Sequence, residues 1–213
     1  MIVEGLVPDA RRPGSTRVVV GGRPAWTVPA DVVAELALVA GGPLTGAQME
    51  RLDRAADEEG AFRSGLRSLE RRAHARQELQ RKLERKGHTA DAVASAIVRL
   101  ERLGLLDDVA FAQQYVASRS ARGRGPVRLR YDLRSLGIAD DTIAHSVASI
   151  PTDHDDPLAQ PRALAIKRAG QLGGLPRETR RRRLSAFLAR RGFNGSDARA
   201  VIDHVLGGMQ HDE

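Results

Sequence analysis

The chain has 213 residues, 41% hydrophobic, 29% charged and only 3% aromatic, with a formal net charge of +7. The absence of cysteine excludes disulfides and thiolate metal sites, and the apolar fraction is too high for a disordered chain. Nearly all the positive charge is arginine, whose planar fork suits phosphate and carboxylate partners.

The N-terminus, Met1-Ile-Val-Glu-Gly, lacks a basic stretch followed by an apolar one, and no apolar run approaches the roughly 20 residues needed to span a bilayer. A soluble, unprocessed protein with a cytoplasmic address is expected. Along residues 1–59 three β-branched runs come first, Met1 to Val7, Thr16 to Val20 and Arg23 to Val28. Gly21-Gly22 sits between the last two as a hairpin turn. Pro29 opens a helix expected from Ala30 to about Ala40, stopped by Gly41-Gly42-Pro43. Thr45-Gly-Ala-Gln48 is a capping-box pattern and opens a further helix running into Asp57-Glu58-Glu59. Trp26, beside the hairpin turn, is expected to anchor this small β-hairpin and helix cap.

From about Gly60 no strand pattern continues, and one helical unit is written three times. Aligned on Gly87, Gly137 and Gly192, the chain places Leu83, Leu133 and Leu188 four residues earlier, and Leu79, Leu129 and Leu184 eight residues earlier. Ile97, Val147 and Ile202 stand ten residues later, and Leu100, Ile150 and Val205 thirteen later. Each pair of offsets puts two aliphatic side chains on one face of a helix, and each glycine stands where a helix ends in a left-handed turn. Thr89 and Ser196 are candidate N-caps for the helices that follow. A preceding helix is read from Phe62/Leu66/Leu69, from Phe111/Tyr115 and, in a looser register, from Leu164 to Leu172. The expected architecture is mainly α. Three tandem three-helix repeats, at 60–106, 107–151 and 152–213, form an elongated curved arm after the N-terminal cap at 1–59. The Asp- and Pro-rich stretch from Pro151 to Pro161 is the expected flexible joint.

Three basic clusters occupy corresponding parts of the repeats. The first contains Arg67, Arg71, Arg72 and Arg76, with Arg67, Arg71 and Arg72 expected on a helix face away from the Phe62/Leu66/Leu69 seam. The second contains Arg119, Arg122, Arg124, Arg128 and Arg130 around Arg122-Gly-Arg-Gly-Pro126. The third contains Arg180, Arg181, Arg182, Arg183, Arg190 and Arg191. A charge run is often only a solvated helix face, but three clusters in matching places predict one basic track that meets phosphates, or an acidic protein groove, without reading sequence. Tyr131, off the Leu129/Leu133 positions, is the candidate for base stacking, whereas Tyr115 is expected in its helix seam.

The same reading assigns no catalytic, metal or cofactor site. Asp107-Asp108 are adjacent residues that do not face each other on a helix, and they fit the start of one. The six histidines have no paired spacing for zinc. No glycine loop has the form of a phosphate cradle, and Gly123-Arg-Gly125 reads as a connector.

Gly104-Leu-Leu-Asp107-Asp108-Val-Ala-Phe111-Ala112-Gln-Gln-Tyr115, followed by Arg119, Gly125-Pro126, Leu129, Leu133 and Gly137-Ile138, resembles the middle unit of the RecX family. Glu78-Leu79, Leu83 and Lys86-Gly87 resemble its first unit, and Phe187-Leu-Ala-Arg-Arg-Gly192-Phe193 its third. The resemblance covers residues 60 to 207, and the N-terminal hairpin looks like an extension some members carry. Two positions depart from the pattern: Ala75 stands where a serine is frequent, weakening one helix cap, and Leu105 where an aromatic is frequent. No catalytic constellation is assembled, so a non-enzymatic protein is expected, and no self-complementary seam stands out, so a monomer is expected. The resemblance implies a negative regulator of the RecA recombinase. Such a protein binds in the groove of the RecA–DNA filament, with single- or double-stranded DNA met through its phosphates, and inhibits ATP hydrolysis, strand exchange and coprotease activity. The alternative is a direct DNA-binding repressor of helix-turn-helix type, but the helices after Gly87 and Gly137 offer mainly Ala, Ser, Val and Asp, which read base edges poorly.

Overall fold

The computed structural model describes residues 1–150 and 156–208. It divides into two compact units between Asp107 and Asp108.

The first unit begins with an antiparallel sheet of β1 (Gly5–Pro8), β2 (Ser15–Val20) and β3 (Arg23–Pro29) in that order. Val20 pairs with Arg23 across Gly21 and Gly22, both at positive φ, which is the two-residue turn whose twist matches the strands. The first strand is shorter than the sequence suggests. Residues before Gly5 instead strap the sheet to the loop ahead of α2, through an Ile2–Pro43 bridge and the Leu44 amide on the Met1 carbonyl. Helix α1 (Ala30–Glu35) also ends early, because Ala37 takes φ 48° and the Leu38 amide closes back on the Val33 carbonyl.

Helix α2 (Gly46–Leu69) is opened by Thr45 and Gln48, and both bonds of the capping box are made. It passes residues 59 and 60 without a break, so one rod serves both the N-terminal core and the first three-helix bundle. The upper core joins Val18, Val28, Val32, Leu38 and Leu52, with Trp26 at its edge donating its indole N–H to Asp53 at 2.6 Å. The lower core packs Phe62 against Leu79 and Leu83 of α3 (Arg76–Glu84) and against Ile97 and Leu100 of α4 (Ala90–Arg102). Gly65 permits the α2–α4 approach, since a Cβ there would lie 2.7 Å from Leu100 Cδ1. Thr89 caps α4 through the Ala92 amide, while Ala75, heading α3, supplies no side-chain cap.

The second unit holds two bundles. One is α5 (Asp108–Ser120), α6 (Pro126–Leu136) and α7 (Asp140–Ala148); the other is α8 (Ala159–Gly170), α9 (Arg177–Arg191) and α10 (Gly195–Gly208). Pro126 stands at the first turn of α6, where a missing N–H costs nothing. The aligned leucines are withdrawn from solvent in every copy: Leu79, Leu83, Leu129, Leu133, Leu184 and Leu188 are all 0% exposed. Each contributes roughly 1.5–3 kcal/mol of apolar burial. Gly87, Gly137 and Gly192 all adopt left-handed φ, between 88° and 91°. Ser196 is not a cap, because α10 starts one residue earlier, at Gly195, and the Ser196 hydroxyl turns to Asp197. In α8 the inward positions are Pro161, Ala165 and Ala169, followed by Leu172, which fixes the loose register of the third copy. Of the expected joint, residues 151–155 lie outside the described residues, and the chain is helical from Ala159 onward.

Candidate functional site

The α5–α6 connector ends at Gly125, and α9 ends at Gly192. These two glycines let the backbones meet. The Gly125 amide donates to the Arg191 carbonyl at 2.6 Å, and the Val127 amide reaches the Gly192 carbonyl at 3.4 Å. A Cβ on Gly192 would stand 2.4 Å from the Arg128 amide nitrogen, and one on Gly125 would stand 2.6 Å from the Gly192 carbonyl oxygen. Arg191 reinforces the joint by reaching the carbonyls of Arg122 and Gly123, both at 3.4 Å, and Gln160 of α8 donates to the Ser120 carbonyl at 2.7 Å.

This docking draws the second basic cluster, Arg130 excepted, and the end of the third around one open cleft of about 740 Å³. Its apolar lining is Val127, Tyr131, Phe187 and Ala189, and its arginines are Arg119, Arg122, Arg124, Arg128, Arg190 and Arg191. Tyr131 is 63% exposed. Arg128 lies over its ring at 5.2 Å from the centroid, and Arg191 lies over Phe187 at 4.8 Å. Among the described residues, Arg119, Arg122 and Arg190 have no carboxylate at ion-pair distance, so the cleft carries uncompensated positive charge.

Asp132 organises the cleft from beneath, and sequence reasoning did not single it out. It is buried on α6, pairs with Arg124, and holds Arg128 through Nε–Oδ1 at 2.9 Å. Tyr115, stacked on Phe111 in the α5 seam, donates its hydroxyl to Asp132 Oδ2 at 3.2 Å. Burial, and then the Asp132 charge, raise the Tyr115 phenol above its ordinary value, so it stays a neutral donor. One carboxylate thus fixes two arginines that would otherwise sample many rotamers.

Family models for the first, second and third RecX three-helix domains match residues 61–100, 107–146 and 155–202. A RecX regulatory protein from Halorhodospira halophila is 41% identical over 139 residues, covering 65% of this chain and 83% of its own. The chain belongs to the RecX family. Another RecX regulatory protein, from Chlorobium phaeobacteroides, is 37% identical over 151 residues, covering 70% and 96% of the two chains. The fold agrees with a crystal structure of a regulatory protein RecX at a TM-score of 0.74 and 21% identity, over 95% of this chain and 98% of that one. Among the described residues, no helix is long and apolar enough to cross a membrane.

The other candidate arginines of this RecX chain are placed differently. Arg130 is exposed on α6 and lines a second groove with Pro126 and Phe193. Arg182 and Arg183 are exposed on α9, Arg181 is paired with Asp203, and Arg180 is half-buried with its Nε enclosed and without a hydrogen-bond partner. In the first unit, Arg71 and Arg72 do not share a helix face with Arg67, because α2 ends at Leu69 and both lie in the turn beyond it. Arg72 is held by Glu78 through two bonds, of 2.5 and 3.1 Å, and Arg76 by Glu101 at 2.8 Å. Arg67 donates to the Ser64 hydroxyl.

Beside that turn lies an acid-sensitive pair of histidine contacts. His74 is 3% exposed, with Nδ1 2.8 Å from Glu78 and Nε2 3.4 Å from the Lys82 ammonium. The neutral ring satisfies both neighbours by donating to the carboxylate and accepting from the ammonium. Burial lowers its pKa from the usual 6.5 despite Glu78. Glu78 is itself held low: burial opposes its charge, but Arg72 and His74 outweigh that cost. Asp57 follows the same pattern, with burial overcome by bonds from Thr89 and His88, the latter at 2.7 Å. In all three groups the unfolded chain binds protons more readily, so their contribution is present at neutral pH and lost on acidification. The His74 part fades as pH falls below 6.5, and the carboxylate parts fade below their ordinary values near 4. Urea unfolding of the first unit, followed by Trp26 fluorescence, is therefore expected to weaken between about pH 7 and 5. His74→Gln flattens that limb while keeping the steeper loss near pH 4.

Proposed function

We propose that this chain is a non-enzymatic negative regulator of the RecA recombinase, lodging in the groove of the RecA–DNA filament. The observation that carries this reading is the ordered set of three RecX domains, with a cleft between the second and third in which Arg119, Arg122 and Arg190 have no carboxylate partner among the described residues. A RecA filament presents phosphates and acidic side chains, and a basic surface with no nucleotide-reading helix is suited to meet both without regard to sequence. In this reading Arg119, Arg122, Arg128, Arg190 and Arg191 make the principal contacts, with Arg67 and Arg71 supplementing them from the first unit. Seated there, the chain excludes the second DNA strand and the repressor substrate and slows the nucleotide cycle, inhibiting strand exchange, coprotease activity and ATP hydrolysis.

The test is RecA-dependent ATP hydrolysis on single-stranded DNA titrated with purified protein. Inhibition well below one chain per RecA monomer is expected. Undiminished hydrolysis up to a molar excess of the protein overturns the reading.

A further inference from the structure

The cleft is not lined by charge alone. Acidic side chains and a duplex backbone are met by charge, whereas Tyr131 and Val127 add partly exposed apolar surface inside the ring of arginines. Here Val127 and Tyr131, one helical turn apart on α6, are 45% and 63% exposed. They face a space ringed by Arg119, Arg122 and Arg190, which lack carboxylate partners among the described residues. The Arg124–Asp132–Arg128 network fixes the wall beside them. Arg128 shields part of the Tyr131 ring, and the remainder is open.

Among nucleic-acid polymers, the single strand is the form that offers phosphates together with unpaired flat base faces. A duplex hides its faces in the stack, and an acidic peptide presents carboxylates in place of phosphates spaced between bases. We infer that the cleft between α6 and α9 is a single-strand-selective DNA seat, in which Tyr131 stacks on a base while Arg119, Arg122 and Arg190 take the flanking phosphates. The inference rests on the filament reading for its choice of DNA as the polymer, but the binding it describes belongs to this chain alone. Stacking accounts for discrimination between strands, and the arginines account for affinity and its salt dependence.

The test uses the full chain without RecA, following fluorescence anisotropy of a labelled oligothymidylate and of a duplex of equal length over a range of salt. The single strand is expected to bind more tightly. Tyr131→Ala is expected to lower single-strand affinity by roughly 5- to 150-fold, the range for loss of one stacked base, while duplex affinity falls by no more than about twofold. Tyr131→Phe keeps the ring and restores single-strand binding. Arg122→Ala and Arg190→Ala each flatten the single-strand salt dependence by about 0.7 in the log–log slope, one phosphate apiece. Equal losses on both polymers with Tyr131→Ala, or no rescue by phenylalanine, overturn the stacking role. Polyglutamate competing as strongly as DNA overturns the choice of ligand. Because RecA is absent, failure here leaves the ATP hydrolysis result standing, and the reverse is equally visible.

Discussion

Gly192→Ala is expected to undo the joint between the second and third bundles, whereas Gly87→Ala, at the equivalent place in the first repeat, is expected to cost only about 1–2 kcal/mol, the usual penalty of a left-handed residue with a side chain. Both glycines have nearly the same φ, 91° and 90°, but a Cβ on Gly87 meets nothing within 4 Å. On Gly192 it would fall 2.4 Å from the Arg128 amide nitrogen and 2.9 Å from the Gly125 carbonyl oxygen. Neither obstacle is a flexible side-chain tip, so relief requires α6 and α9 to move apart. Overpacking adds roughly 1–3 kcal/mol to the conformational penalty. The total, about 2–5 kcal/mol, is a large fraction of a domain's stability. Hydrogen exchange reads the result directly: the Gly125 and Val127 amides donate across the joint and lose protection in Gly192→Ala, while the α4 amides do not. Unchanged protection at Gly125 and Val127 would show that the backbone contact does not hold the bundles together.

The second large effect is on binding. Arg122 and Arg190 both face the cleft and have no carboxylate partner among the described residues, so reversing them to glutamate breaks no ion pair. The double variant is expected to fold with unaltered stability, within the ~0.5 kcal/mol typical of surface substitutions. Its charge change of four units at one site is expected to weaken association with a polyanion by about tenfold or more at low salt, with the difference shrinking as salt rises. Arg72 and Arg76 make poorer tests, since each already serves a carboxylate and its reversal would disturb the Glu78 or Glu101 neighbourhood.

Much of the fold was legible because the repeat writes its core at fixed offsets. Leucines eight and four residues before a glycine can share a helix face only one way, and all six are enclosed. The Gly21-Gly22 hairpin was equally plain, since two adjacent positive-φ residues between β-branched runs admit few alternatives. The continuous α2 was harder to see. In sequence the chain divides at residues 59 and 60, yet Gly60 and Gly65 lie inside one helix, where their missing side chains make room for His88 and Leu100, a tertiary requirement that local pattern does not carry. The cleft was legible only in pieces. Its arginines and Tyr131 stood out as charge and exposure, but their meeting depends on the contact of Gly125 with Gly192, 67 residues apart. Asp132 escaped notice because a carboxylate beside a core leucine ordinarily faces water. It is covered here because the connector after α5 folds over it and delivers Arg124.

Co-sedimentation with RecA filaments on single-stranded DNA, comparing the wild-type chain with the Arg122→Glu/Arg190→Glu variant, tests most directly the proposal that this chain binds such a filament through this cleft. The wild-type chain is expected in the pellet at low salt, with the double variant largely in the supernatant and its helical content and melting unchanged. Equal pelleting of the two, with both correctly folded, would contradict the assignment of the cleft as the filament-binding surface.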